Sequence, residues 1–193
     1  MIASLTGTYI SKTPSYVHMD VQGVGYEVQI SLNTYAKIQE HQQGTLLTVL
    51  QIKEDSHTLF GFAEATEKML FQQLINVNGV GATTARMMLS AMLPHELSNA
   101  IASGNTGALE KIKGIGRKSA ERIILELKDK IVKSGIGSPS SGFSRHGVED
   151  EALQALIALG IARNTAESAI KKSQFNSSED SLESLIKKSL QHI

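Results

Sequence analysis

Residues 111–124 read Lys-Ile-Lys-Gly-Ile-Gly-Arg-Lys-Ser-Ala-Glu-Arg-Ile-Ile, and this stretch decides the fold. Gly114 and Gly116 allow a tight turn and leave room for close backbone approach. Ile115 between them can pin that turn into a core. The helix that follows opens with free N–H groups, a geometry that suits a phosphate. Arg117, Lys118 and Arg122 add positive charge at the same end.

A second copy lies 35 residues upstream. Leu74 matches Leu109, Val77 matches Ile112, and Gly79-Val80-Gly81 matches Gly114-Ile115-Gly116. Thr84, Ala85 and Met88 then match Ser119, Ala120 and Ile123. A repeat at such a period marks one supersecondary unit used twice. Each copy has the form of a helix-hairpin-helix, a module that grips a nucleic-acid backbone. Two side by side could hold two phosphates of one duplex, through Gly79, Val80, Gly81, Ala82 and Thr83 in the first and Gly114 to Ser119 with Arg122 in the second.

Rival glycine motifs fail. A P-loop needs glycine at position 111, which is Lys. A Rossmann fingerprint needs a third glycine and a preceding strand. Two ordinary helix–helix turns would explain one glycine per copy, but neither the pairing, the matching flanks nor the cations of the second.

Charge is distributed unevenly along a chain whose formal net charge is zero. Residues 1–63 carry three cations against five anions, 64–133 ten against seven, and 134–193 six against seven. Within 111–133 the count is eight against three. Local charge, not the total, sets backbone affinity. The 193 residues contain no cysteine and no tryptophan. Disulfides and thiolate metal sites are therefore excluded, and base stacking on single strands is disfavoured. No apolar run could span a bilayer and the N-terminus lacks a signal-peptide pattern, so a cytoplasmic protein is expected.

The expected fold is α+β and multidomain. Residues 1–63 are rich in β-branched and aromatic residues, with strands expected at Ile2–Thr13, Tyr16–Val21, Val24–Ser31, Thr45–Lys53 and Thr58–Phe62. A helix at Asn33–Glu40 falls between the third and fourth strands. This order suggests a barrel of the oligonucleotide-binding (OB) kind, with a generic five-stranded sheet as the alternative. Residues 64–133 read as a helical domain, its first helix, Ala65–Asn76, placing Met69, Leu70, Leu74 and Ile75 at helical period. Helices near Thr83–Met92, Pro94–Ala102, Thr106–Ile112 and Arg117–Val132 follow.

Residues 134–147 have the composition of a flexible linker, with five serines, four glycines and a proline. Residues 148–193 then give three short helices, roughly 149–159, 164–172 and 178–191. Leu153, Leu156, Ile157, Leu182, Leu185, Ile186 and Leu190 are their candidate core.

In this order, and in specific stretches, the chain resembles the RuvA family of Holliday junction-binding proteins. The stretches are Gly23-Val24-Gly25-Tyr26-Glu27-Val28, Glu54-Asp55 leading to Leu59-Phe60-Gly61-Phe62, both glycine hairpins, and Ala155-Leu156-Ile157-Ala158-Leu159-Gly160. The resemblance covers nearly the whole chain except the linker. It implies a homotetramer on whose concave face an open, planar four-way junction sits. It implies that Glu54 and Asp55 form an acidic pin at the crossover, where carboxylates repel phosphates. It implies a UBA-like C-terminal three-helix bundle that docks the RuvB ATPase through Leu156, Leu159, Ile161 and Leu190. Ile161, after Gly160 at a helix end, is the best candidate of the four for exposure. It further implies RuvC resolvase as a partner in a larger complex, and no cofactor.

The chain departs from the family pattern twice. Ile161 is aliphatic where an aromatic is often found. Family members also often carry a lysine soon after the second glycine of the first hairpin, whereas this chain has Ala82-Thr83-Thr84. Phosphate binding there falls to backbone N–H groups and threonine hydroxyls, so this hairpin is expected to bind more weakly than the second.

A nuclease or lyase using tandem hairpins would need an active site beyond Glu54 and Asp55. The histidines at 18, 41, 57, 95, 146 and 192 are not at metal-ligand spacing. A plain duplex-binding scaffold is the other alternative, and substitution of Lys118 and Arg122 separates it from a junction clamp.

Overall fold

The computed structural model describes residues 1–134, 146–173 and 181–192. The chain forms two compact units, Met1–Pro139 and Ser140–Ile193. Most of the segment expected as a linker, and the start of the helix expected from 178, lie outside the described residues.

The first unit begins with five strands: β1 (Ser4–Lys12), β2 (Tyr16–Val21), β3 (Val24–Ile30), β4 (Gln43–Ile52) and β5 (His57–Phe62). Side chains alternate across each strand, and those facing inward, including Leu5, Val17, Met19, Val28, Ile30 and Leu46, form one buried cluster. The sheet closes into a barrel in the order β1-β2-β3-β5-β4. Its one parallel pairing is β3 with β5, and β1 against β4 completes the ring. Helix α1 (Leu32–Ile38) lies within the connection from β3 to β4. The closed five-strand Greek-key order with this helix is the OB arrangement; a generic open sheet is thereby excluded.

Five helices follow: α2 (Ala65–Ile75), α3 (Ala82–Ala91), α4 (Pro94–Ala102), α5 (Thr106–Glu110) and α6 (Arg117–Ser134). They share one core, centred on Leu70, Leu74, Met88, Leu89, Leu97, Ile101, Ile123 and Leu127, and that core extends to Phe60 and Phe62 of β5. Phe71 of α2 is fully buried and stacks at a tilt on both, with ring centroids 5.0 and 4.9 Å away. Met69, expected on the apolar face of α2, is instead 42% exposed. The buried face is rotated toward the aromatic pair of β5.

Polar contacts lock the same joint. Glu67 of α2 is buried and accepts hydrogen bonds from the hydroxyls of Ser31 and Thr34. The Thr34 hydroxyl in turn accepts from Ala63 N–H at 3.1 Å. Asn33 Nδ2 donates to Met92 O at 2.9 Å, and Arg86 Nη1 donates to Ser15 O at 2.8 Å and to Gln29.

Burial raises the Glu67 pKa, and the two hydroxyls and Lys37 only partly oppose it. The folded state therefore holds this proton more tightly than the unfolded chain does. The stability contributed by the group is full below the ordinary carboxylate value and is lost as pH rises through the raised folded value. Wild type is thus expected to gain melting temperature relative to Glu67→Gln as pH falls from neutral toward the carboxylate range. Paired thermal melts across that window check this, and a pH-independent difference would contradict it.

The second unit contains α7 (His146–Ala158), α8 (Arg163–Lys172) and α9 (Leu182–Leu190). Helix α7 begins three residues before the expected start at 149, with Glu149 in its first turn, where a negative charge complements the helix dipole. Ala152, Leu153, Leu156, Ala166, Ile170 and Leu185 form the core of this bundle. Leu190, expected in that core, is 44% exposed.

Candidate nucleic-acid interface

The two glycine hairpins are built by the same hydrogen bonds. In the first, Val77 N–H donates to Leu74 O and Val80 N–H to Val77 O, both at 3.0 Å. In the second, Ile112 donates to Leu109 and Ile115 to Ile112, again at 3.0 Å. Gly79 (φ 88°) and Gly114 (φ 90°) sit at the third position of each turn, where a positive φ favours glycine. The following helices start alike, with Ala85 N–H donating to Gly81 O and Ala120 N–H to Gly116 O.

Within each triplet the two glycines have different tasks. The first makes the turn. The second, Gly81 or Gly116, has no neighbouring atom within 4 Å of where a Cβ would stand, and Gly81 is in ordinary extended conformation (φ −78°, ψ 164°). Internal packing does not demand glycine there. What its missing side chain leaves open is the approach to the free N–H groups at the start of α3 and α6.

Val80, Ala82 and Ile115 are buried. Of the expected contact residues these can offer only main-chain groups, their side chains anchoring each turn in the core. Thr83, Arg117, Lys118 and Arg122 are exposed and Ser119 is half-buried. Arg117 Nε donates to Glu121 at 2.9 Å, so its charge is partly matched. Lys118 and Arg122, one helical turn apart, join Ser119, Asn78 and Gly79 in lining a cavity of about 210 Å³. Arg122 Nη1 donates to Asn78 O at 3.2 Å. Asn78 escapes a sequence reading because it takes part through its main-chain carbonyl.

Glu54 and Asp55 are exposed on the turn joining β4 to β5. Lys53 N–H donates to Ser56 O at 2.8 Å, and the Ser56 hydroxyl donates to Asp55 Oδ1 at 3.3 Å. Among the described residues no group of three or more His, Asp or Glu could hold a metal ion. No helix among them is long and apolar enough to cross a membrane.

In the C-terminal bundle the four expected partner contacts separate. Leu156 is fully buried, Leu159 is 64% exposed, and Leu190 is exposed. Ile161 packs against the core, contrary to the expectation that it would be the most exposed. The cause is the helix ending. Gly160 has φ 89°, its N–H donates to Ile157 O, and Ile161 N–H donates to Leu156 O at 3.1 Å. This Schellman pattern brings the residue after the glycine back onto the helix's own apolar face.

An OB barrel fused to two hairpins with open, N–H-lined turns and a cationic helix start defines the class: a tandem helix-hairpin-helix DNA-binding protein. Residues 1–61 match the family model for the RuvA N terminal domain, and residues 71–129 match that for a SAM-like helix-hairpin-helix tandem. The chain belongs to the RuvA family. It is 43% identical to the Holliday junction branch migration complex subunit RuvA of Christiangramia forsetii, with 100% of both chains covered. The protein of the same name from Flavobacterium psychrophilum is also 43% identical with 100% of both covered. That from Cytophaga hutchinsonii is 42% identical over 98% of each.

Proposed function

We propose that this protein binds four-way (Holliday) junction DNA by structure rather than sequence, holds it open and planar, and recruits a RuvB ATPase for branch migration. It is the non-catalytic subunit of that assembly. The observation that carries the reading is the pair of hairpins with one hydrogen-bond pattern, each presenting an open second glycine. Main-chain donors and cations of this kind contact phosphates, which fix position without reading bases. The full-length relatives are named as junction branch migration subunits, in keeping with it. A cytoplasmic homotetramer that also meets RuvC belongs to the same proposal. So does the division into a barrel (1–63), a hairpin domain (64–133), a linker (134–147) and a partner-binding bundle (148–193). Within that bundle, the exposed Leu159 and Leu190 are the proposed partner contacts.

A gel-shift titration at two salt concentrations tests it, comparing a four-way junction with linear duplex and single strand. Strong preference for the junction without cleavage is expected. Equal binding to junction and duplex would reduce the protein to a generic duplex binder, and cleavage in Mg²⁺ would make it an enzyme.

The exposed acids give a further prediction. Glu54→Gln/Asp55→Asn is expected to bind the junction as tightly or severalfold more tightly, since two negative charges per protomer no longer oppose phosphate. Opening at the crossover, read by 2-aminopurine fluorescence, is expected to fall. Wild-type fluorescence in the double variant would remove the acids from the mechanism.

A further inference from the structure

The two hairpins share a backbone but not a charge. In the 35-residue register, Arg117, Lys118 and Arg122 of the second correspond to Ala82, Thr83 and Met87 of the first. Between residues 64 and 110 the sequence holds just two Lys or Arg, Lys68 and Arg86. Both are committed to the barrel: Lys68 Nζ donates to Ala3 O at 3.3 Å, and Arg86 to Ser15 O and Gln29. The first hairpin therefore has no cation of its own facing a ligand.

Arg122 lies across from it. Its guanidinium donates to the carbonyl of Asn78, inside the first turn, and Nη1 is 4.0 Å from where a Cβ on Gly79 would stand. Arginine carries five N–H donors in a fixed fork. With one on Asn78 O, the others remain available in the cavity that Asn78 and Gly79 share with Lys118, Ser119 and Arg122.

We infer that Arg122, although carried by the second hairpin's helix, serves the first hairpin: it positions the Asn78–Gly79 turn and supplies the positive charge for the phosphate held there. This rests on the reading that the hairpins hold a DNA backbone. It also replaces the expectation that phosphate binding at the first hairpin falls to main-chain groups and threonine hydroxyls alone. The two hairpins then act as one unit, because removing a side chain from the second disables the first.

The test is a double-mutant cycle between Arg122→Ala and Thr83→Lys in the full-length protein. The second substitution gives the first hairpin a cation at the position matching Lys118. Four-way junction affinity is measured by fluorescence anisotropy over a range of salt, with circular dichroism melts as folding controls. Per engaged protomer, Arg122→Ala is expected to lower affinity about tenfold at about 0.1 M salt and to flatten the salt slope by about one. Thr83→Lys is expected to gain less affinity and slope in the wild type, where Arg122 already faces that phosphate, than in Arg122→Ala, where it restores most of the lost slope. Equal gains from Thr83→Lys in both backgrounds would overturn the inference, since Arg122 would then serve a different phosphate.

Arg122→Lys separates the two parts of the role. A lysine keeps the charge but not the fork, so the slope is expected to recover while affinity stays severalfold low. Full recovery of both would overturn the positioning part. Salt-independent junction binding by the wild type would instead overturn the functional reading itself, which keeps the two failures apart.

Discussion

Lys118→Ala/Arg122→Ala is expected to weaken four-way junction binding about a hundredfold per engaged protomer at about 0.1 M salt, with little change in melting temperature. Each neutralised phosphate contributes about 0.9 to the slope of log affinity against log salt, or roughly tenfold in affinity at that concentration. Two such contacts per protomer are lost, so the slope should also flatten by about two per engaged protomer. Stability is spared because both residues are exposed on α6 and alanine is the best helix former. The Asn78 carbonyl that loses Arg122 belongs to an exposed residue and can bond to water. Arg117→Ala serves as an internal comparison. Its charge is partly matched by Glu121 at 2.9 Å, so its removal is expected to cost less than that of Lys118. Anisotropy titrations at several salt concentrations check both. A loss of affinity that leaves the slope unchanged would mean that these cations act on something other than phosphate.

The hairpins were legible in the sequence because their information is local and repeated. A turn with positive φ selects glycine, an apolar anchor fixes its depth, and both appear twice in one register. The barrel strands were legible from their composition and separating turns, whereas the parallel β3–β5 pairing joins segments distant in sequence and shows only in the folded chain. What escaped reading is contact made across elements. Glu67 stands on a helix where a carboxylate is ordinarily solvated, and nothing local announces that Ser31 and Thr34 will meet it. Arg122 reads as one more cation on α6, because its partner is a main-chain oxygen 44 residues away in sequence. Ile161 was misjudged for a geometric reason, since the same glycine that ends α7 folds the next residue back onto it.

Phe71 shows how such cross-element contact sets stability. The apolar period of α2 drew attention to Met69, Leu70, Leu74 and Ile75, but Phe71 is the residue between Phe60 and Phe62 of the barrel. Phe71→Ala is expected to destabilise the first unit by about 3–5 kcal/mol through lost burial and the cavity left behind. For a unit of this size that corresponds to a fall of roughly 10–20 °C in melting temperature. The shared core and the Glu67 and Arg86 contacts predict that barrel and hairpins lose structure together. All four tyrosines, at 9, 16, 26 and 35, lie in the barrel half, so tyrosine fluorescence reports that half alone. Amide exchange in α3 and α4 reports the other. Coincident transitions in wild type and variant alike are expected. A variant whose tyrosine signal melts at the wild-type temperature while α3 and α4 exchange freely would mean that the barrel stands alone. In the cooperative case, the orientation of both hairpins is set by the barrel beneath them. An aromatic contact within the fold would then govern how the phosphate-binding turns are presented.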